Sequence, residues 1–172
     1  MTKVVGALSG GVYSSVAAAL LVEQGYEVTG VSMKLWSAPG CEEENRCCTP
    51  QTRQLAAQLA KQLGIPFHIL DAQQAFRQAV VQRFLDGYAR GDTPNPCVYC
   101  NGYLKWDYLW QFAQSIGAEA IATGHYARLR RGMDGTYELW KGVDPNKDQT
   151  YFLSLLTQQH LAHSLFPLGE YT

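Results

Sequence analysis

Ser9-Gly10-Gly11-Val12-Tyr13-Ser14-Ser15 is the stretch whose reading decides the fold. Before it runs Val4-Val5-Gly6-Ala7-Leu8, short and apolar; after it runs Val16 to Gln24, rich in Ala and Leu. A strand therefore feeds a Gly-rich turn, and the turn feeds a helix. Such a junction is an anion site, because two glycines let the backbone approach a ligand and the first N–H groups of a helix have no acceptor within it. Ser9, Ser14 and Ser15 add hydroxyl donors, so the expected guest is a phosphate. The loop has no lysine and fits neither G-x-x-x-x-G-K-[ST] nor G-x-G-x-x-G. Taken alone, it is also compatible with an ordinary strand–turn–helix of small residues.

Working outward, the same alternation continues. Tyr26 to Leu35 reads as a second strand after Gly25 closes the first helix, and its run Val28, Val31, Met33, Leu35 suits a strand buried on both faces. Residues 36–49 read as a loop carrying Glu42-Glu43-Glu44 and Cys41, Cys47 and Cys48. Thr49-Pro50 then opens a helix in the favoured order of cap and proline, with Leu55, Leu59 and Leu63 on one stripe, ending at Gly64. Phe67 to Leu70 is a third strand, and Gln73 to Arg90 an amphipathic helix with Phe76, Val80, Phe84 and Tyr88. A further helix runs from Cys97 to about Ile116, and Glu119 to Thr123 is a fourth strand. A hairpin joins Ala127–Leu129 to Tyr137–Trp140, and Gln149 to Leu165 reads as one closing helix. Strands alternating with helices predict a doubly wound parallel α/β sheet, whose ligands bind beyond the carboxyl ends of its strands. Ser9–Ser15, Met33–Trp36 and Thr123–Tyr126 should thus meet at one crevice.

Composition bounds the function. The chain has 172 residues, 47% hydrophobic and 17% charged, with a formal net charge of −1, enough for one domain with a substantial core. It is not a polycation, although Arg128, Arg130 and Arg131 make a local basic patch. No apolar run reaches membrane-spanning length, and the N-terminus enters a strand directly, so the expectation is a soluble cytoplasmic protein without a membrane partner. Five cysteines, two pairs of them tightly spaced, point in a reducing compartment to metal or thiol chemistry rather than to a disulfide framework.

Three segments carry candidate chemistry. Thr93-Pro94-Asn95-Pro96-Cys97-Val98-Tyr99-Cys100-Asn101 places a Cys-x-x-Cys at a helix start, where the dipole favours a thiolate. The pair suits a nucleophile, a metal site shared with Cys47 and Cys48, or half-buried structural thiols, and spacing does not separate these. Ala122-Thr123-Gly124-His125-Tyr126 ends a strand; Gly124 permits close approach of a base or ribose, and His125 is either a substrate contact or a structural residue. Lys147-Asp148-Gln149 offers a cation, a carboxylate and an amide on a loop, which is also the make-up of a solvated turn and helix cap.

The loop resembles the SGGxDS pyrophosphate loop of the ATP-pyrophosphatases. SGGVYSS, TPNPCVYCN, IATGHYAR, KDQTYFL and LFPLGE, in this order over essentially the whole chain, resemble the tRNA-specific 2-thiouridylases. The resemblance implies a PP-loop domain of the adenine nucleotide alpha-hydrolase-like type over residues 1–172, with about 142–172 beginning a tRNA-contacting region and the family's C-terminal domains absent. It implies ATP, with Mg²⁺, held by Ala7, Leu8, Ser9, Gly10, Gly11, Val12, Tyr13 and Ser14, and adenosine contacts from Met33 and Gly124. Asn95, Pro96 and Cys97 match the segment lining the target base, and His125, Lys147, Asp148 and Gln149 match tRNA-contacting positions. The wobble uridine would flip out of its stack, its O2 would attack the α-phosphate, and sulfur carried as a persulfide would then displace AMP from C2. Cys100 matches the nucleophile. The implied partners are tRNA and a sulfur-donor protein, a cysteine desulfurase or relay protein.

Four departures qualify this. The family's Asp is Tyr13 here, and Gly102 stands where the family usually has Lys. The Cys-x-x-Cys fits one branch of the family, and some relatives hold an iron–sulfur cluster in this region, with Cys97 and Cys100 as candidate ligands, so cluster-dependent transfer stands beside a persulfide relay. The segment with the family's second cysteine lies beyond Thr172, so the expectation is an ATP-binding half that does not thiolate tRNA alone. The competing reading is a catalytically incomplete or degenerate ATP-binding module. Another adenylating enzyme with the same loop would leave TPNPCVYCN and KDQTYFL unexplained.

Overall fold

The computed structural model describes residues 1–40 and 49–172; Cys41, Cys47, Cys48 and the Glu42–Glu44 run lie outside the described residues. The chain opens with β1 (Lys3–Ala7), α1 (Val12–Glu23), β2 (Glu27–Lys34), α2 (Pro50–Leu63) and β3 (Phe67–Asp71). A helical stretch follows as α3 (Gln73–Phe76), a π turn (Arg77–Val81) and α4 (Gln82–Ala89). The next is built the same way, as α5 (Pro96–Cys100), a π turn (Asn101–Lys105) and α6 (Trp106–Ser115). Then come β4 (Ala120–Ala122), the antiparallel hairpin β5 (Ala127–Arg131) and β6 (Tyr137–Lys141), a 3₁₀ turn (Thr150–Leu153), α7 (Gln158–Ala162) and β7 (Ser164–Leu165).

Five strands form one parallel sheet in the order β3-β2-β1-β4-β7. Consecutive residues of β1 point to opposite faces, and both faces are covered. Val5 packs into the cluster of Leu104, Trp106 and Leu109 from the α5–α6 stretch. Val4 packs with Leu21 of α1, and Leu8 packs with Ala18 and with Ala56 and Ala60 of α2. Helices on both faces explain why β1 and β2 read as near-continuous apolar runs. The chain turns from one side of β1 to the other between β3 and β4, so the sheet splits its loops beside the end of β1, where a ligand crevice forms.

The closing segment differs from the single helix expected over Gln149–Leu165. It is a 3₁₀ turn, a five-residue helix and a two-residue strand pairing with β4, Ile121 opposite Ser164 and Ala122 opposite Leu165. Tertiary bonds override the helical spacing. The Trp106 indole N–H, from a side chain only 1% exposed, donates to Ser164 Oγ at 2.6 Å, and that hydroxyl donates to the His160 carbonyl at 2.7 Å. The strand edge of β4 also takes the chain in, Thr123 N–H donating to the Leu165 carbonyl at 3.2 Å.

Candidate functional site

The anion loop is shaped by its own hydroxyls. Ser14 Oγ donates to the Gly11 carbonyl at 3.0 Å, accepts the Ser9 N–H at 3.2 Å and lies 3.1 Å from Ser9 Oγ; Ser15 Oγ donates to the same Gly11 carbonyl at 2.9 Å. Gly11 is the N-cap and no side chain caps the helix. Val12, Tyr13 and Ser14 open α1 one residue after it, so their N–H groups have no acceptor inside the helix and remain for a ligand. Gly10 sits at φ +78°, and a Cβ there would run into the Thr52 carbonyl in the first turn of α2. That turn is fixed by the Thr49 cap, whose Oγ1 accepts the Thr52 N–H at 3.1 Å, so α2 backs the loop.

The loop forms one wall of a crevice of about 610 Å³, within the range of small-molecule and cofactor sites. Ala7, Leu8, Ser9, Gly10, Gly11, Tyr13 and Ser14 line it from β1 and the loop, Met33 from β2, Gly124 and His125 from the end of β4. Pro96, Cys97 and Cys100 line it from α5, and Gln149 from the 3₁₀ region. The three strand ends expected to meet do so. Val12 presents its side chain to solvent, 73% exposed, which leaves only its backbone to the loop.

Gly124 lines the crevice and is also packed against the loop. A Cβ there would stand 2.6 Å from Ser14 N and from Tyr13 C, so what approaches closely is the first turn of α1, pressed on the end of β4. Tyr13 packs edge-on against Tyr126, centroids 5.1 Å apart, and Lys147 Nζ lies 5.2 Å from the centre of the Tyr126 ring. The phenol is thus docked on the wall beside the loop. His125 Nδ1 is 2.8 Å from Thr123 Oγ1, and burial, with the charge of Lys105 adding to it, lowers the ring to about 3. His125 is therefore a neutral wall residue of the crevice.

Asn95 caps α5, its side chain accepting the Cys97 N–H at 3.0 Å. The helix-opening position, with the dipole effect expected of it, belongs to the exposed Cys97; Cys100 lies deeper and is buried. Lys147 and Asp148 do not line the crevice. Lys147 Nζ is 3.7 Å from Asp144 and Asp148 accepts from Thr150 Oγ1 at 2.9 Å. Gln149 is tied to Tyr126 by two backbone-anchored bonds, 3.0 and 3.2 Å.

Sequence reading missed Asn101 and Lys105, both of which line the crevice. Asn101, 3% exposed, donates through Nδ2 to the Phe152 carbonyl at 2.9 Å, while its buried Oδ1 has no partner among the described residues. Buried acceptors of this kind are rare enough to require an explanation. No Asp or Glu is among the described residues lining the crevice, and no group of three or more metal-ligating side chains occurs among the described residues. Of the described residues, hydroxyls and not carboxylates would face an ion arriving with a nucleotide. Among the described residues, Cys97 and Cys100 supply two of the four ligands that a cluster needs. No described helix is long and apolar enough to cross a membrane.

This is a parallel-sheet α/β domain of the adenine nucleotide alpha-hydrolase-like class, with its loop, strand ends and a Cys-x-x-Cys around one crevice. The chain belongs to the family described as tRNA methyl transferase HUP domain, which it matches over residues 2–172. It is 49% identical over 175 residues to a Geobacter metallireducens protein named tRNA-specific 2-thiouridylase MnmA, the match covering 99% of this chain and 48% of the relative. A Magnetococcus marinus protein of the same name is 51% identical over 170 residues, 98% and 48% covered. The chain thus spans about half the length of the curated relatives it matches. Among solved structures, a Methanocaldococcus jannaschii protein described as a predicted subunit of tRNA methyltransferase aligns with TM-score 0.54 at 16% identity, covering 100% of this chain and 70% of the other. The fold is also that of a glutamine-dependent NAD⁺ synthetase from Acinetobacter baumannii, TM-score 0.50 at 17% identity, covering 70% and 21%.

Proposed function

We propose that this chain is the ATP-binding half of a tRNA uridine 2-sulfurtransferase. The single observation that carries the reading is the convergence of the Ser9–Ser15 loop, Cys97 and Cys100 on one crevice. The open N–H groups of α1 take the pyrophosphate end of ATP, and Met33 and Gly124 flank the adenosine. A wobble uridine presented from the Pro96–Cys97 side attacks with O2, forming the O2–Pα bond as the bond to the bridging oxygen breaks and pyrophosphate leaves with its electrons. Mg²⁺ travelling with the nucleotide would screen its phosphates. The relatives' name and the thiols of the crevice support thiolation over the methyl transfer in the family's description.

Cys100 is the sulfur-handling nucleophile in this reading, with tRNA as substrate, a cysteine desulfurase or relay protein as donor, and the cytoplasm as the compartment. His125 and Gln149 contribute from the crevice wall, and Asn95 acts by holding Cys97 in place. Residues 142–172 begin the tRNA-contacting region. The test uses ATP labelled at the α-phosphate with an anticodon stem–loop RNA. The reading expects pyrophosphate and label on RNA carrying a wobble uridine, and neither with a wobble adenosine. Formation of ADP and phosphate, or RNA-independent hydrolysis, counts against it.

A further inference from the structure

We propose that Lys105 is the cation of this crevice and contacts the α-phosphate of the bound nucleotide, an inference that rests on the ATP reading above. The phosphate loop carries no lysine, and the loop cation that many nucleotide sites use must come from elsewhere. Lys147, a tRNA-contacting position by resemblance, is 3.7 Å from Asp144, lies over the Tyr126 ring and does not line the crevice. Lys105 does line it, is half-buried, and is the one Lys or Arg among the described residues that do so. No carboxylate pairs with it among the described residues. A half-buried lysine with no carboxylate partner, in a crevice with no carboxylate among its described lining residues, suits an incoming anion.

Its placement says which anion. Lys105 ends the π turn Asn101–Lys105 that directly follows Cys100. In an unbroken α-helix, residues five apart point about 140° away from each other; the extra residue of a π turn changes that relation, and such turns recur at functional sites. Cys100, Asn101 and Lys105 all reach the same crevice. The pyrophosphate belongs to the loop on the α1 wall, and the reacting base belongs to the α5 wall. The α-phosphate is the group between them, and the one on which charge builds when O2 adds to phosphorus. A fixed ammonium there stabilises the developing charge on its non-bridging oxygens. Burial, with the same charge adding to it, keeps the neighbouring His125 ring neutral, so it does not substitute for the lysine.

The experiment is titration of the 172-residue chain and its Lys105→Met and Lys105→Arg variants with Mg·ATP, AMP and inorganic pyrophosphate at fixed ionic strength. Circular dichroism and melting establish that each variant is folded. Lys105→Met should weaken ATP and AMP at least tenfold and leave pyrophosphate within twofold, and Lys105→Arg should restore most of the loss. Unchanged ATP and AMP affinity in folded Lys105→Met overturns the proposal, as does equal weakening of pyrophosphate, which would assign the lysine to the leaving group. If the unaltered chain binds none of the three, the ATP reading itself fails, and the Lys105 proposal with it.

Discussion

Gly124→Ala should disable the phosphate seat by displacing the first turn of α1 rather than by removing one of its donors. The added Cβ would stand 2.6 Å from Ser14 N and Tyr13 C, and 2.8 Å from Tyr13 O. Ordinary contacts lie near 3.5–4.0 Å, so the two segments must part by about 1 Å. The β4 side is held in the sheet by pairing with β1 on one edge and β7 on the other. The first turn of α1, which faces the crevice and has no side-chain cap, is the side that yields. A shift of about 1 Å carries an N–H···O bond from its usual 2.7–3.2 Å to beyond useful range. Bonds to charged partners contribute about 1.5–3 kcal/mol each. Losing one such bond from the Tyr13 or Ser14 amide therefore weakens Mg·ATP by about 1.5–3 kcal/mol, roughly 10- to 150-fold. Overpacking should cost about 1–3 kcal/mol of stability as well. Calorimetric titration with Mg·ATP, paired with urea unfolding, measures both. Gly142→Ala is the control, because its Cβ would meet Tyr126 at 3.4 Å. ATP affinity within twofold of the unaltered chain in a folded Gly124→Ala protein would refute the assignment of the phosphates to this turn.

Tyr13→Asp should strengthen Mg·ATP binding several-fold, since a carboxylate replaces a phenol that is docked on Tyr126 and offers the ion no charge; titration showing no gain means the position has been overrated. Burial, with Lys105 adding to it, lowers His125 from 6.5 to about 3. The unfolded chain takes up a proton below about 6.5 that the folded chain resists, so this contribution is complete above that pH and is lost as pH falls toward 3. The loss is at most about 1.4 kcal/mol per pH unit. Urea unfolding between pH 7 and 5 should show a shallower decline for His125→Gln, and equal slopes would contradict the buried neutral ring. At Gly102 a Cβ would stand 2.5 Å from the Leu155 Cβ. Gly102→Ala should cost about 1–3 kcal/mol, and Leu155→Ala in the same chain should recover part of it, a coupling that a double-mutant cycle reads directly.

The β1–loop–α1 unit was legible because strand, glycines and helix each announce themselves locally, and the doubly wound sheet followed from alternation. The closing segment was not: Phe152, Leu155, Leu156 and Leu161 fall at helical spacing, but the two-residue β7 exists because β4 offers an open edge and Trp106 a donor. Gly102 reads as a missing side chain in sequence and is, in the fold, the floor on which Leu155 rests. Asn101 and Lys105, four and eight residues after Cys97, share its side of the helix by ordinary spacing, but an amide and a lysine at that spacing equally suit a solvated face, and only the fold shows that this side lines the crevice. Lys147, conspicuous in sequence, stands outside the crevice beside Asp144.

The central claim is that the Ser9–Ser15 loop seats the pyrophosphate end of ATP, and amide chemical-shift mapping with Mg·pyrophosphate and then Mg·ATP tests it most directly. The account predicts that both ligands move the Gly10, Gly11, Val12, Tyr13 and Ser14 amides, and that ATP adds shifts at Met33, Gly124 and the Lys105 turn. Saturable binding that leaves the loop amides unmoved, or no binding of either ligand, would contradict it.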